Sequence, residues 1–418
     1  MEMIFNINWE NSSKTVDLFS LRNYPLFYDW VASPDGEKIA VVVENENRET
    51  TVWVNGKTWE NVFERVCYLQ FTPDNRLICT VQKDGLWTVA IDGNLWENSF
   101  DYVWNLQFNQ DGKVIAVNVK VGNQYSVCVN DKPWQKFFYD ARDLFISDKG
   151  NNIATYVRLE NYPVLDILNF AKGMWSLAVN ESAWDKKFIS VFGCAFSPNG
   201  EKVAAGVRFS NREFSIAVDG NIWESTFLQV WEPVFLNNVD VLAPVKTEIG
   251  WQLYCNGRPF WEYGFTQIWN LRVHPAKEKI AGVIATDLGK WTVIVNGTPW
   301  KYSFSDLVLP PIFSPDGEKV AVAVKDKGKW GIVVDDEPWS LDVDRVWDPI
   351  FSPDGEKVAV RAEKGNKYFL VINDKIHKES FDYLWDPIFS PDGEKVLLRG
   401  IKGNTYYRKV LKIEKIIG

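Results

Sequence analysis

The nonapeptide Ile-Phe-Ser-Pro-Asp-Gly-Glu-Lys-Val occurs three times, at Ile312–Val320, Ile350–Val358 and Ile388–Val396, and degenerate copies reach back to the start of the chain. The residues that open these turns are Ser33, Thr72, Asn109, Ser147, Ser197, Leu236, His274, Ser314, Ser352 and Ser390, spaced 39, 37, 38, 50, 39, 38, 40, 38 and 38 residues apart. Such a unit is too small to bury a core alone. It has to stack on its neighbours, so the period decides the architecture before composition does.

Each unit reads as four strands. A run such as Val346–Phe351 (VWDPIF) ends at Ser-Pro-Asp-Gly, where Pro presets φ and Gly tolerates φ > 0. An apolar run follows, as at Lys319–Val324, and then an alternating one, as at Trp291–Asn296. Asn-Gly or Asp-Gly turns recur after it at Asn55, Asp92, Asp219, Asn256 and Asn296, a strong hairpin signal. The fourth strand is expected at Trp-x-x-x-Phe, as in Trp96–Phe100. Turn residues interrupt too often for helical repeats, so the expected fold is all-β, a propeller of ten four-stranded blades.

The last unit stops after its third strand, Tyr406–Lys412, and the segment 14–24 is available to supply the missing one. This favours one ring closed by the N-terminal residues 1–24. Two five-bladed rings are the alternative, set against an unbroken spacing of 39 between the fifth and sixth units. The chain 1–418 is accordingly read as a single propeller domain, with a long insertion at 159–173 in the fourth repeat.

Composition then excludes functions. With 46 Lys+Arg against 55 Asp+Glu the net charge is -9, which argues against phosphate-driven nucleic-acid binding. No apolar run reaches the length of a membrane span and the start of the chain lacks a signal-peptide pattern, so direct membrane insertion is not expected and a cytoplasmic location is. The five cysteines lie in strand-like runs without a C-x-x-C pair, and the two histidines, His274 and His377, are far apart. No metal or cofactor is expected.

The 21 tryptophans are the compositional oddity. Eight fall at the start of the expected fourth strand, six open the third, and five open the first: Trp104, Trp231, Trp269, Trp347 and Trp385. A repeated position implies a repeated packing role between blades. In a propeller the first strand lies nearest the channel, and the links from fourth to first strand share a face with the turns from second to third. The residues after the first-strand aromatics, Asp29, Asn105, Asp143, Glu232, Asn270, Asp348 and Asp386, would form an acidic and aromatic mouth there for a basic segment of a partner. Polar capping of strand ends is the plain alternative. The insertion falls on the same face and carries Tyr162, Leu165, Leu168 and Phe170, apolar residues that would either dock a partner or cover a blade.

The pattern N-G-x-x-W-x-x-x-F-D-x-x-W-D-P-x-F-S-P-D-G, matched by Asp92–Phe108 and Asn373–Gly393, resembles the tryptophan-rich subunits of the Tmc transmembrane electron-transfer complex of sulfate-reducing bacteria. The likeness spans Tyr28 to Ile413 and departs at His377, at the Leu236–Val239 turn and at the insertion. It implies a subunit without catalytic residues of its own, beside a cytochrome, an iron-sulfur subunit and a membrane cytochrome b. The expected function is thus a non-enzymatic scaffold for protein partners, possible redox subunits among them, peripheral to the membrane through those partners. The alternatives are a channel-site hydrolase or lyase, for which Asp29, Asp348 and Asp386 are the only repeated carboxylates, and carbohydrate binding by exposed Trp faces.

Overall fold

The computed structural model describes residues 7–162, 169, 171–274 and 276–417. Ten antiparallel sheets follow one another along the chain, each built on four successive strands, which makes the fold an all-β propeller of ten blades. Blade 1 runs Leu26–Ala32, Ile39–Glu44, Thr50–Val54 and Lys57–Thr58 from first strand to fourth. Blade 10 differs. Its outermost strand, Ser13–Asp17, comes from the other end of the chain and pairs with Thr405–Lys412, Ser13 opposite Lys409 and Asp17 opposite Thr405. The N-terminal strand thus completes the tenth blade and not the fifth, as the single-ring reading expects. By internal contacts the chain divides into two compact units, Met1–Leu77 with Asn270–Gly418, and Ile78–Trp269. The first holds blades 8, 9, 10 and 1, the second blades 3 to 6, and the divisions fall inside blades 2 and 7.

The second strands carry the core: Ile39, Ala40, Val41, Val42 and Val43 are all fully buried. Strands covered on both faces read as continuous apolar runs, whereas the third strands, such as Trp291–Val295, keep partial alternation.

Both turn types do more than reverse the chain. In Ser-Pro-Asp-Gly the serine hydroxyl donates to the Asp carboxylate and accepts the N–H that opens the way into the second strand, as Ser314 does with Asp316 and Lys319. At the turn from third to fourth strand, blades 1 to 9 all place a left-handed Asn or Asp, from Asn55 at φ 47° to Asn373 at φ 43°. Its Oδ1 accepts the first N–H of the second strand in eight blades, for instance Ile39 to Asn55 at 2.9 Å and Val358 to Asn373 at 2.8 Å. Four of these turns lack the Gly by which the sequence marks them and hold Asp131, Glu181, Asp336 or Asp374 in its place, with φ of 63°, 74°, 66° and 64°.

Trp-x-x-x-Phe is an arch rather than a strand, contrary to the sequence-based expectation. In blades 1 to 8 the fourth strand is two residues long and ends before the Trp. The Trp N–H donates to the third strand, as Trp59 to the Val52 carbonyl at 2.9 Å, and the Phe rejoins it, as Phe63 opposite Thr50. A hydroxyl of the third strand fills the arch: Thr51, Thr88, Ser126, Ser176, Ser215 and Thr292 donate to the carbonyl ten residues on, at 2.6 to 3.0 Å. The acidic turn residues explain themselves here, because each caps the arch of the preceding blade; Asp131 accepts from Glu97 and Asn98 N–H at 2.8 and 3.1 Å. Blade 9, with His377 for Trp, has a seven-residue fourth strand instead, Lys375–Phe381, whose pairing with the third strand shifts register between Phe369 and Val371. Blade 10 has no turn from third to fourth strand that could cap an arch there. Lys409 reaches Glu379 at 2.6 Å in its stead, and Ile416 packs against the cluster that holds Phe381.

Candidate functional site

The face that carries the second-to-third turns is stitched by an Asp on the link from one blade's last strand to the next blade's first. Asp306, Asp344 and Asp382 accept the N–H of Gly328, Gly365 and Gly403 at 2.7, 2.7 and 2.6 Å. The Gly328 amide, then the Ser305 hydroxyl, hold the Asp306 carboxyl below the usual range, and Lys367, then Gly403, do so for Asp382.

The residues after the first-strand aromatics sit at a bulge inside the strand and do not cap its end. The register slips between Tyr28 and Val31, between Trp104 and Gln107, and between Arg142 and Phe145. Asp29, Asn105, Asp143 and Asn270 take φ of 58°, 54°, 50° and 52°, and blade 5 places Gly193 there at 60°. Asn, Asp and Gly suit this position because they alone visit the left-handed region at small cost. In blades 6, 9 and 10 a proline follows Glu232, Asp348 and Asp386, biasing them to extended backbone. The first strand then breaks in two, so Val346–Phe351 is Arg345–Val346 and Ile350–Phe351 rather than one run.

None of the 21 tryptophans is exposed; Trp53, Trp87, Trp134, Trp251 and Trp261 are buried and the others half-buried. This removes the exposed Trp surface on which the carbohydrate-binding alternative rested. The first-strand and third-strand registers, separate in sequence, meet in space. In the second unit Trp87, Tyr102, Trp104 and Tyr125 follow one another at ring distances of 5.4, 5.7 and 5.8 Å, and Trp231 stacks on Trp251 at 5.4 Å. In the first unit Trp347, Tyr368, Tyr383, Trp385 and Tyr406 run on at 5.6, 5.8, 4.7 and 5.9 Å. Trp269 is half-buried.

Two of the proposed contacts are already taken within the chain. The guanidinium groups of Arg361 and Arg345 lie 4.2 and 4.9 Å from the Trp347 ring. The Asp386 carboxylate pairs with Arg361 at 3.1 Å, and its carbonyl accepts from Arg399 at 2.7 Å. Arg399 is buried, which lowers its pKa, and it reaches on to the Ser33 carbonyl of blade 1 at 3.1 Å. Asp29 and Asp348 are exposed and have no ion pair among the described residues.

Of the insertion, Tyr162 is half-buried, while Leu165, Leu168 and Phe170 lie outside the described residues. Its ends are joined: Leu159 N–H donates to the Met174 carbonyl at 2.8 Å and Glu160 pairs with Lys187 at 2.8 Å. A Cβ on Gly173 would stand 2.6 Å from the Phe188 backbone, so this stem needs a glycine.

Tyr68 is the residue that sequence reasoning passed over. It occupies the bulge position of blade 2 at φ 56°, 49% exposed, where other blades carry Asp, Asn or Gly. A bulky residue there is strained by about 1–2 kcal/mol. Its strand, Arg65–Phe71, packs against Leu26–Ala32 of blade 1, which carries Asp29. In the adjoining Cys67, burial pushes the thiol up, Arg65 opposes, and the Asp29 charge adds to the rise. A sequence signal existed, since the aligned positions after Tyr28, Cys67 and Trp104 are Asp29, Tyr68 and Asn105. On the opposite face, a cleft of about 340 Å³ between blades 7 and 8 is lined by Trp300, Lys279, Lys301, Glu318, Asp335 and Asp336 among others. Among the described residues no three His, Cys, Asp or Glu are grouped to hold a metal, and no helix is long and apolar enough to cross a membrane.

No protein-family model and no curated protein sequence matches the chain. Solved structures similar to it include a eukaryotic initiation factor, 13% identical over 91% of this chain and 90% of that one with a TM-score of 0.47. The Dos1 propeller is 13% identical over 95% and 94% with a TM-score of 0.38. The β-propeller domain of the trilobed protease from Pyrococcus furiosus is 11% identical over 68% and 95% with a TM-score of 0.30. Similarity of this degree carries no statement about activity or partner.

Proposed function

We propose that this propeller is a non-enzymatic scaffold that docks a protein partner through a cationic segment, on the bulge register of its first unit. The observation that carries the reading is Tyr68, an exposed aromatic held in a strained conformation on a strand that packs against the one carrying the exposed carboxylate of Asp29. Strain of this kind persists where it is used, and an aromatic face beside a carboxylate favours Lys or Arg. Asp348, two blades away along the same unit, adds a further exposed carboxylate. Trp347 and Asp386 serve this reading as the support that fixes the register, since their charge partners come from within the chain.

The resemblance supplies the partner's class: a subunit of a membrane-associated electron-transfer complex, with this chain on the cytoplasmic side and held at the membrane by that partner. Affinity purification from the native host, comparing the wild type with an Asp29→Lys/Asp348→Lys variant, tests it. A co-purifying protein lost on charge reversal is expected; a partner retained at the wild-type level would contradict docking at this register.

A further inference from the structure

Asn-Gly, the pair in which a side-chain amide most readily exchanges for an acid because Gly leaves its backbone nitrogen unshielded, occurs at Asn55, Asn199, Asn256 and Asn296. Three of the four amides are held twice. The Asn55 Oδ1 accepts from Ile39 N–H at 2.9 Å while its Nδ2 donates to the Glu37 carbonyl at 2.8 Å. Asn256 accepts from Val241 at 3.0 Å and donates to Asp240 Oδ1 at 2.7 Å. Asn199 accepts from the Ser197 hydroxyl at 2.7 Å and donates to Glu201 Oε2 at 2.8 Å.

Asn296 is held once. Its Oδ1 accepts from Ile280 N–H at 2.8 Å, and its Nδ2 has no hydrogen-bond partner among the described residues. The cause lies in blade 7, where the turn opened by His274 replaces Ser-Pro-Asp-Gly and sets Glu278 at φ 50°. Glu278 stands where Glu37 and Lys113 offer the carbonyls that receive Asn55 and Asn130, and neither of those two is left-handed. Asn296 is also exposed and lines the cleft of about 340 Å³ with Lys279, Lys301, Asp335 and Asp336.

We propose that Asn296 is the deamidation site of the folded chain. The Gly297 backbone nitrogen attacks Cγ of Asn296 and loses its proton, the bond from Cγ to Nδ2 breaks, and ammonia leaves with that proton. Water then opens the succinimide ring at either carbonyl, giving aspartate or isoaspartate. The cleft holds carboxylates and ammonium groups fit to take and return the proton. An aspartate at 296 repeats what Asp92, Asp219 and Asp335 do in their own blades, whereas an isoaspartate lengthens the turn by one backbone carbon.

The test ages the native protein in mildly alkaline buffer, with a parallel sample in denaturant, and follows the four Asn-Gly peptides by mass spectrometry. In the native sample Asn296 is expected to convert at least about fivefold faster than the other three, the factor set by one hydrogen bond of ordinary net worth. In denaturant the four rates are expected to converge. A native rate at Asn55, Asn199 or Asn256 equal to that at Asn296 would overturn the proposal. So would an equal lead of Asn296 in denaturant, which would place the cause in the local sequence.

Discussion

The carboxylate of Asp336 in blade 8 accepts the backbone N–H of Lys301 in blade 7 at 2.8 Å, and that of Tyr302 at 3.2 Å. The same side chain that caps the arch sits at φ 66°, where Gly would be the unstrained choice. Asp336→Ala removes the cap and keeps the strain, so it is expected to cost about 2 kcal/mol. Asp336→Gly removes both, and its cost should be smaller by about 1 kcal/mol. Urea unfolding of the two variants gives the order; an equal cost would mean that the cap contributes without backbone strain to offset.

The seam between blades 10 and 1 depends on Arg408. Its guanidinium is fully buried, pairs with Glu37 at 2.9 Å, and donates to the Asn8, Asn11 and Asp35 carbonyls at 2.7, 2.8 and 2.9 Å. The Tyr406 hydroxyl donates to the Gly36 carbonyl at 2.9 Å alongside it. Arg408→Ala deletes a fully buried cation from this network, taking the donor from the Asn8, Asn11 and Asp35 carbonyls and leaving Glu37 with Lys14 alone, and is expected to cost about 3–5 kcal/mol. Lys14→Ala, which breaks only a part-exposed pair with Glu37, should cost under about 1 kcal/mol. Comparable losses in melting temperature for both would show that the strand Ser13–Asp17, and not the buried cation, holds this seam.

Acid should unfold the propeller through its stitching carboxylates. Lys367 first, then the Gly403 amide, depress the Asp382 carboxyl, and Ser390 first, then the Glu394 amide, depress that of Asp392. The unfolded chain binds these protons more readily, so the stability they give is present above the ordinary carboxylate pKa near about 4 and lost as pH falls through the folded values. Melting temperature is expected to be level near neutral pH and to fall below about pH 4. Asp382→Asn should lower the neutral plateau and flatten the acid limb; a variant curve parallel to the wild type down to low pH would refute the assignment.

The period, the four strands and the N-terminal closure were legible in the sequence because each rests on local chemistry: Ser-Pro-Asp-Gly turns, buried runs such as Ile39–Val43, and a last unit short of one strand. The arch was not. Trp59 and Phe63 have strand propensity, and what bends the chain between them is a hydroxyl ten residues away, at Thr51, together with a turn residue from the next blade in those blades that carry an acid there. The bulge escaped because Asp29 and Asn105 look like ordinary polar caps, and only Tyr68 betrays the left-handed position as strained. Nothing local shows that Arg361, Arg399 and Arg408 are spent inside the chain, since their partners lie 13 to 400 residues away.

The docking reading turns on Tyr68, and one variant tests it most directly. Tyr68→Gly relieves the backbone strain and removes the exposed ring, so stability and binding should move in opposite directions. Unfolding in urea is expected to show a gain of about 1 kcal/mol. Fluorescence anisotropy of a labelled Lys/Arg-rich peptide, at low salt, is expected to show affinity reduced about tenfold, with Asp29→Asn reducing it further. A variant that is more stable and binds the peptide as tightly as the wild type would contradict the account.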